Sequence, residues 1–122
     1  MPLIEVPVTL AGDPTESEVQ NKQGLLEEVI IRYEDSAPAV IVALELKIRD
    51  TGVDADDFVE LWRSPSSNTN AYYLPTKSTT LSDGTAGAVE GMIAMKSNLG
   101  WRVNIIGGAS TGLVRVFVGL DQ

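Results

Sequence analysis

The chain has 122 residues, the length of one domain, and neither cysteine nor histidine. That removes disulfide frameworks, the usual zinc ligands and catalysis of the Ser-His-Asp or Cys-His kind. Its 17 acids outnumber its 9 bases, for a formal net charge of −8, and without a basic cluster nucleic-acid binding is not expected, because Lys and Arg neutralising phosphate supply most of that affinity.

The charge is uneven. Residues 1–60 hold 14 acids and 4 bases, and residues 61–122 hold 3 acids and 5 bases. Solubility accounts for such a balance, as does an acidic region of one copy meeting a less acidic region of another. No apolar run reaches the roughly 20 residues of a membrane helix. Met1 to Leu10 carries Glu5 and Pro7 and no basic start, so no signal peptide is expected and synthesis in the cytoplasm is the default.

Ile4, Val6, Val8 and Leu10 alternate with Glu5, Pro7 and Thr9. This reads as a first strand, and Pro7, which lacks a ladder donor, places it at a sheet edge. Asp13-Pro14-Thr15-Glu16 has the form of a helix start, but Val19 is the one apolar residue before Gly24. A short helix without an apolar face is poorly held, so a loop is expected.

Leu25 to Tyr33 reads as a second strand, with Val29, Ile31 and Tyr33 on one side, and Glu34 to Pro38 as a turn. Ala39 to Arg49 is the cleanest strand. Val40, Val42, Leu44, Leu46 and Ile48 face one way, and Ile41, Ala43, Glu45, Lys47 and Arg49 the other, as in a half-buried antiparallel strand. Asp50 to Asp57 is an acidic loop. Phe58 to Arg63 is a short strand with Val59 and Leu61 on one face and Phe58, Glu60 and Trp62 on the other.

Ser64 to Asn70 is a polar loop, Ala71 to Leu74 a short strand, and Pro75 to Thr85 a loop ending in the turn signal Ser82-Asp83-Gly84. Gly87 to Lys96 fits either a strand or a helix. Gly87 and Gly91 each weaken the helix by about 1 kcal/mol, so a strand is expected, its small residues allowing close approach of another chain.

Trp101 to Gln122 reads as a hairpin folded about Ala109–Ser110. In that register Trp101 faces Val118, Val103 faces Val116 and Ile105 faces Val114; on the other face Arg102 meets Phe117 and Ile106 meets Leu113. The sum is an all-β antiparallel sandwich, jelly-roll-like, of seven to eight short strands with at most one short helix, in a single domain over 1–122. Residues 1–24 read alternatively as an arm or loop region.

Candidate chemistry is sparse. No catalytic residue, cofactor or metal ligand set is assigned. Glu5, Glu45, Glu60 and Glu90 do not form an inward-facing pair of the kind glycoside hydrolysis uses. Gly107 to Gly112 has no Lys and precedes a strand, so it is a loop and not a phosphate cradle. The loop with Asp50, Asp54, Asp56 and Asp57 offers oxygens for calcium, but its spacing misses the EF-hand pattern: Ala55 stands where that loop has Gly, and Leu61 where it has Glu. Trp62, Tyr72, Tyr73 and Trp101 suit either core packing or a stacking platform for a sugar ring.

The outer face of the C-terminal hairpin carries Ile106, Leu113 and Phe117 beside Arg102 and Arg115, with Arg102 and Phe117 placed for a cation–π pair. So apolar an outer face needs cover. With the small-residue stretch around Gly87, Gly91 and Met92, it reads either as a subunit or partner interface or as a face buried within the one chain under the second sheet's loops.

Gly-Trp-Arg-Val-Asn-Ile-Ile (100–106), then a Gly/Ser/Thr loop, then Leu-Val-Arg-Val-Phe-Val-Gly (113–119), in a cysteine-free acidic β-domain, resembles small accessory proteins of tailed-phage virions, with capsid decoration or cement proteins the nearest class. The resemblance covers about the last quarter of the chain and implies a non-enzymatic structural role. Members of that class commonly form homotrimers and bind a major capsid or other virion protein. They stabilise an expanded shell, often through an N-terminal arm, here Met1 to Leu10. The alternative from the residues alone is a carbohydrate-binding β-sandwich, calcium-assisted or not. Neither reading involves a nucleic acid or a membrane.

Overall fold

The computed structural model describes residues 3–80, 84, 86–90, 93–108 and 111–121, with backbone alone for 77–80 and 86–90. The elements are β1 (Leu3–Thr9), β2 (Thr15–Glu16), β3 (Gly24–Glu34), β4 (Ile41–Lys47), α1 (Asp54–Asp57), β5 (Phe58–Arg63), β6 (Ala71–Tyr73), β7 (Thr76–Thr80), β8 (Ala86–Glu90), β9 (Ala94–Met95), β10 (Trp101–Ile106) and β11 (Leu113–Asp121). Two antiparallel sheets hold nine of the strands. Sheet A runs β1-β11-β3-β6, with β9 also on β3; sheet B runs β2-β10-β4-β5. The β7–β8 hairpin forms a two-stranded sheet of its own.

Leaving β7 to β9 aside, this is the strand order of a jelly roll. The chain doubles back at β4–β5, and its second half pairs with its first: β6 with β3, β10 with β2 and β4, β11 with β1 and β3. All-β sandwich architecture, expected from the alternation, is therefore what the chain adopts.

The C-terminal hairpin is not. Trp101 to Ile106 and Leu113 to Asp121 lie in opposite sheets. Trp101 pairs with Leu46, Val103 with Leu44 and Ile105 with Val42, while Val114, Val116 and Val118 pair with Val8, Val6 and Ile4. The alternation is as read, since all six residues named for the inner face are fully buried. They belong to opposed layers of the core instead of one sheet surface.

Pro7 sits on the edge strand, as expected. Leu10 N–H donates to Gly112 O at 3.0 Å, so even-numbered residues of β1 turn their backbone groups to β11. Odd-numbered ones, Pro7 among them, turn theirs outward. Met1 to Leu10 thus contributes a core strand over 3–9, with Val6, Val8 and Leu10 buried. The stretch after it is a loop carrying β2, as its lack of an apolar face implied.

Gly87 to Lys96, expected as a strand, supplies most of β8 and all of β9. Two further corrections concern the middle of the chain. Pro75 to Thr85, expected as a loop, contains β7. In β5 a register shift opposite Leu44/Glu45 puts Trp62 against Leu44 and Val59 against Leu46. Trp62 therefore packs on the core with Leu61 and Tyr73, although strict alternation would separate it from Val59. A bulge of this kind resets which side chains face inward.

The buried centre runs from Val6 and Val8 through Val29, Ile31, Val42 and Leu44 to Trp101, Val103, Val116 and Val118. Trp101 is wholly buried and its Nε1–H donates to Lys22 O at 2.6 Å, so its one polar atom is satisfied.

Candidate interaction surfaces

The two outer faces of the sandwich differ in kind. On sheet B, Arg102 and Asn104 alternate with the buried β10 residues and point away from the core, yet each is only 9% exposed. The Arg102 guanidinium lies 3.6 Å from the centre of the Phe58 ring. Its Nε donates to Glu45 at 2.9 Å and Nη1 to Asp54 at 3.2 Å. Asn104 Nδ2 donates to the other Glu45 oxygen at 3.2 Å, and Arg63 grips Glu60 through two nitrogens. The outward Ala43, between Asn104 and Arg63 in register, is fully buried. Sheet B is thus sealed by its own polar side chains.

Sheet A is not sealed. One cross-strand row reads Glu5, Phe117, Ile30, Tyr72 from edge to edge. Leu3 beside it is 40% exposed and Tyr72 56%; Ile30, Leu113 and Phe117 are half-buried. Polar groups frame this strip. Arg115 is ion-paired with Glu5 and, at 3.4 Å, with Glu34, and lies 5.4 Å from the Phe117 ring. Its hydrogen bond to Glu5 pushes its pKa up and so holds it charged. Tyr72 Oη donates to Glu28 at 2.8 Å.

The sequence-derived interface residues therefore divide. Leu113, Arg115 and Phe117 lie together on the outer face of sheet A, and Arg102 and Ile106 on the opposite outer face of the sandwich. The expected Arg102–Phe117 pair does not form; Arg102 stacks on Phe58 and Arg115 on Phe117. Gly87 is in β8, and Gly91 and Met92 lie outside the described residues. Ile30 and Tyr72, which complete the strip, escaped the sequence reading because cross-strand rows follow from strand order.

The four aromatic residues do not make one platform. Trp101 is core, Tyr72 faces out from sheet A, and Trp62 and Tyr73 meet at 5.3 Å between centroids, closing the β5–β6 edge between the sheets. The acidic loop likewise diverges. Asp57, 2% exposed, accepts from Thr51 N–H at 2.9 Å, Thr51 Oγ1–H at 2.5 Å and Gly52 N–H at 2.8 Å. Asp50 pairs with Lys47 at 3.0 Å and Asp54 with Arg102. Among the described residues no three acidic side chains converge on a cation position.

The opposite edge of the sandwich is open. Between β1 and the segment 15–20 lies a cleft of about 400 Å³, lined by residues 6–9 on one side and Thr15, Glu16, Ser17, Glu18 and Gln20 on the other. Ser17 N–H and Gln20 N–H are bound to Val103 O and Trp101 O, which pins the far wall to sheet B.

No family model, curated protein or solved structure matches the chain.

Proposed function

We propose that this protein is a non-enzymatic structural protein that self-associates and adds to a larger assembly, a virion shell of the decoration or cement kind being the context its C-terminal segment resembles. The observation that carries the reading is the outer face of sheet A. A half-buried antiparallel sheet should show water a polar face. This one shows the strip Phe117, Ile30, Tyr72 and Leu3 inside a frame of ion pairs, an apolar centre with a polar rim. The ion pairs across β4, β5 and β10 are made within the fold, Arg102 with Glu45 and Asp54, Arg63 with Glu60 and Lys47 with Asp50, and Asp57 is held by its own loop, so these polar clusters are read as scaffold.

The strip would be covered by a second copy, trimer favoured, or by the shell protein. The test is the mass in solution of Phe117→Ser and Tyr72→Ser beside the parent chain. Loss of self-association with an unchanged melting temperature supports the reading. Unchanged association in both variants removes sheet A from it.

A further inference from the structure

We propose that copies of this chain are linked head to tail, the β7–β8 hairpin of one copy extending sheet A of the next beyond β1. The inference rests on the self-assembly reading above and names a second contact for it, separate from the apolar strip.

Two unpaired strand edges in the same chain motivate it. The first is β1, which among the described residues pairs with β11 on one side only. Its other side presents backbone groups of Leu3, Glu5, Pro7 and Thr9, Pro7 contributing a carbonyl but no donor. Such an edge can take an added strand, with one ladder bond missing at Pro7, and the 400 Å³ cleft runs along it. The second is the β7–β8 hairpin, paired from Thr76↔Glu90 to Thr80↔Ala86 and, among the described residues, with neither main sheet. A lone two-stranded ribbon is marginal in water, so it gains most from a third strand.

The chemistry of the two parts agrees. Glu16 and Glu18 on the far wall of the cleft are exposed acids, and β7 reads Thr-Lys-Ser-Thr-Thr, β-forming residues with Lys77 as its charge. In its own chain the hairpin pairs with neither main sheet among the described residues, so the pairing proposed is between copies. β6, from which the hairpin departs, and β1 are opposite edges of sheet A with β11 and β3 between them. That is roughly 14 Å at about 4.8 Å per strand step. Joining the far edge of one copy to the near edge of another is a heterologous contact, which closes into a ring when the rotation allows.

The absence of cysteine makes the test clean. Chains carrying Ser78→Cys or Thr79→Cys are mixed with size-tagged chains carrying Thr9→Cys or Glu18→Cys, and oxidised. A mixed disulfide between tagged and untagged chains, formed with Thr9→Cys or Glu18→Cys and lost when Lys77→Glu is added, is the expected result. An oligomer by light scattering that yields no mixed disulfide in any combination overturns the head-to-tail contact and leaves the assembly reading standing. A monomer at every concentration, with no mixed disulfide, overturns both.

Discussion

Arg102 shows how a charge is held on an outward strand position. Phe58 covers one side of its guanidinium, and Glu45 and Asp54 take its donors. Removing one member of so buried a pair leaves the other desolvated, at a cost of about 3–5 kcal/mol. Arg102→Ala should therefore lower stability by that order in denaturant unfolding, and Arg102→Met with Glu45→Met should recover much of the loss. Equal losses in the single and double variants would contradict the pairing.

Tyr33 behaves in the opposite sense. Its hydroxyl is buried without a hydrogen bond. Burial first, then neighbouring Tyr73, pushes its pKa up to about 12, against a pull from Ser64 and Ser67, which lie near it without bonding it. An unsatisfied buried hydroxyl costs stability, so Tyr33→Phe should leave the melting temperature unchanged or raise it. A raised folded-state pKa means the contribution is present below the unfolded value, near pH 10, and is lost as pH rises toward 12. The Phe variant should lack that alkaline loss, and a clear fall in its stability at neutral pH would count against this description.

Asp57 contributes to the acid limb of stability. The hydrogen bond from Thr51 Oγ1 is the main cause holding its carboxyl below the ordinary range, with Thr51 and Gly52 N–H adding to it. Its contribution is therefore present above about pH 4 and lost as pH falls through the lowered value. Melting curves between pH 2 and 6 should show a shallower acid decline for Asp57→Asn than for the parent chain. Parallel declines would show that the loop does not hold the anion.

At the scale of elements, period-two alternation was readable and adjacency was not. Val103 and Val116 are both inward in a hairpin and in a jelly roll, because alternation fixes only the face a side chain takes. Whether two inward faces share a sheet or oppose one another depends on where the intervening loop goes. Gly107 to Gly112 suits a hairpin turn by composition, but here it carries the chain across to the other sheet. Gly112 has φ 111°, and a Cβ there would stand 2.6 Å from Ala37 Cα. Gly112→Ala should therefore destabilise by more than the roughly 0.4–1 kcal/mol that such a replacement gains where the backbone allows it, read as a drop in denaturant midpoint. A neutral outcome would mean the crossing relaxes freely. The bulge in β5 was invisible for a related reason. It shows only against β4, so the inward turn of Trp62 was hidden.

The outer faces follow the same logic. Leu113 and Phe117, with Arg115 between them, were legible as an outward set within one strand. Their neighbours Ile30 and Tyr72 lie far away in sequence and join them only through the order β1-β11-β3-β6. Arg102 and Ile106 were assigned to that set through the wrong adjacency and belong to the sealed face instead.

At the scale of the molecule, a jelly roll ordinarily leaves short, protected edges. Among the described residues this chain keeps β1 open on one side, carries the β7–β8 hairpin apart from both main sheets, and shows a part-exposed apolar strip on sheet A. The proposed assembly would cover all three of these surfaces on a chain of 13.1 kDa. The most direct test is molar mass by light scattering on a sizing column at low and high micromolar concentration. A defined oligomer, three times 13.1 kDa if the ring is a trimer, is the expected result. A mass of one chain throughout, with the native fold intact, would contradict self-assembly as the role of this protein.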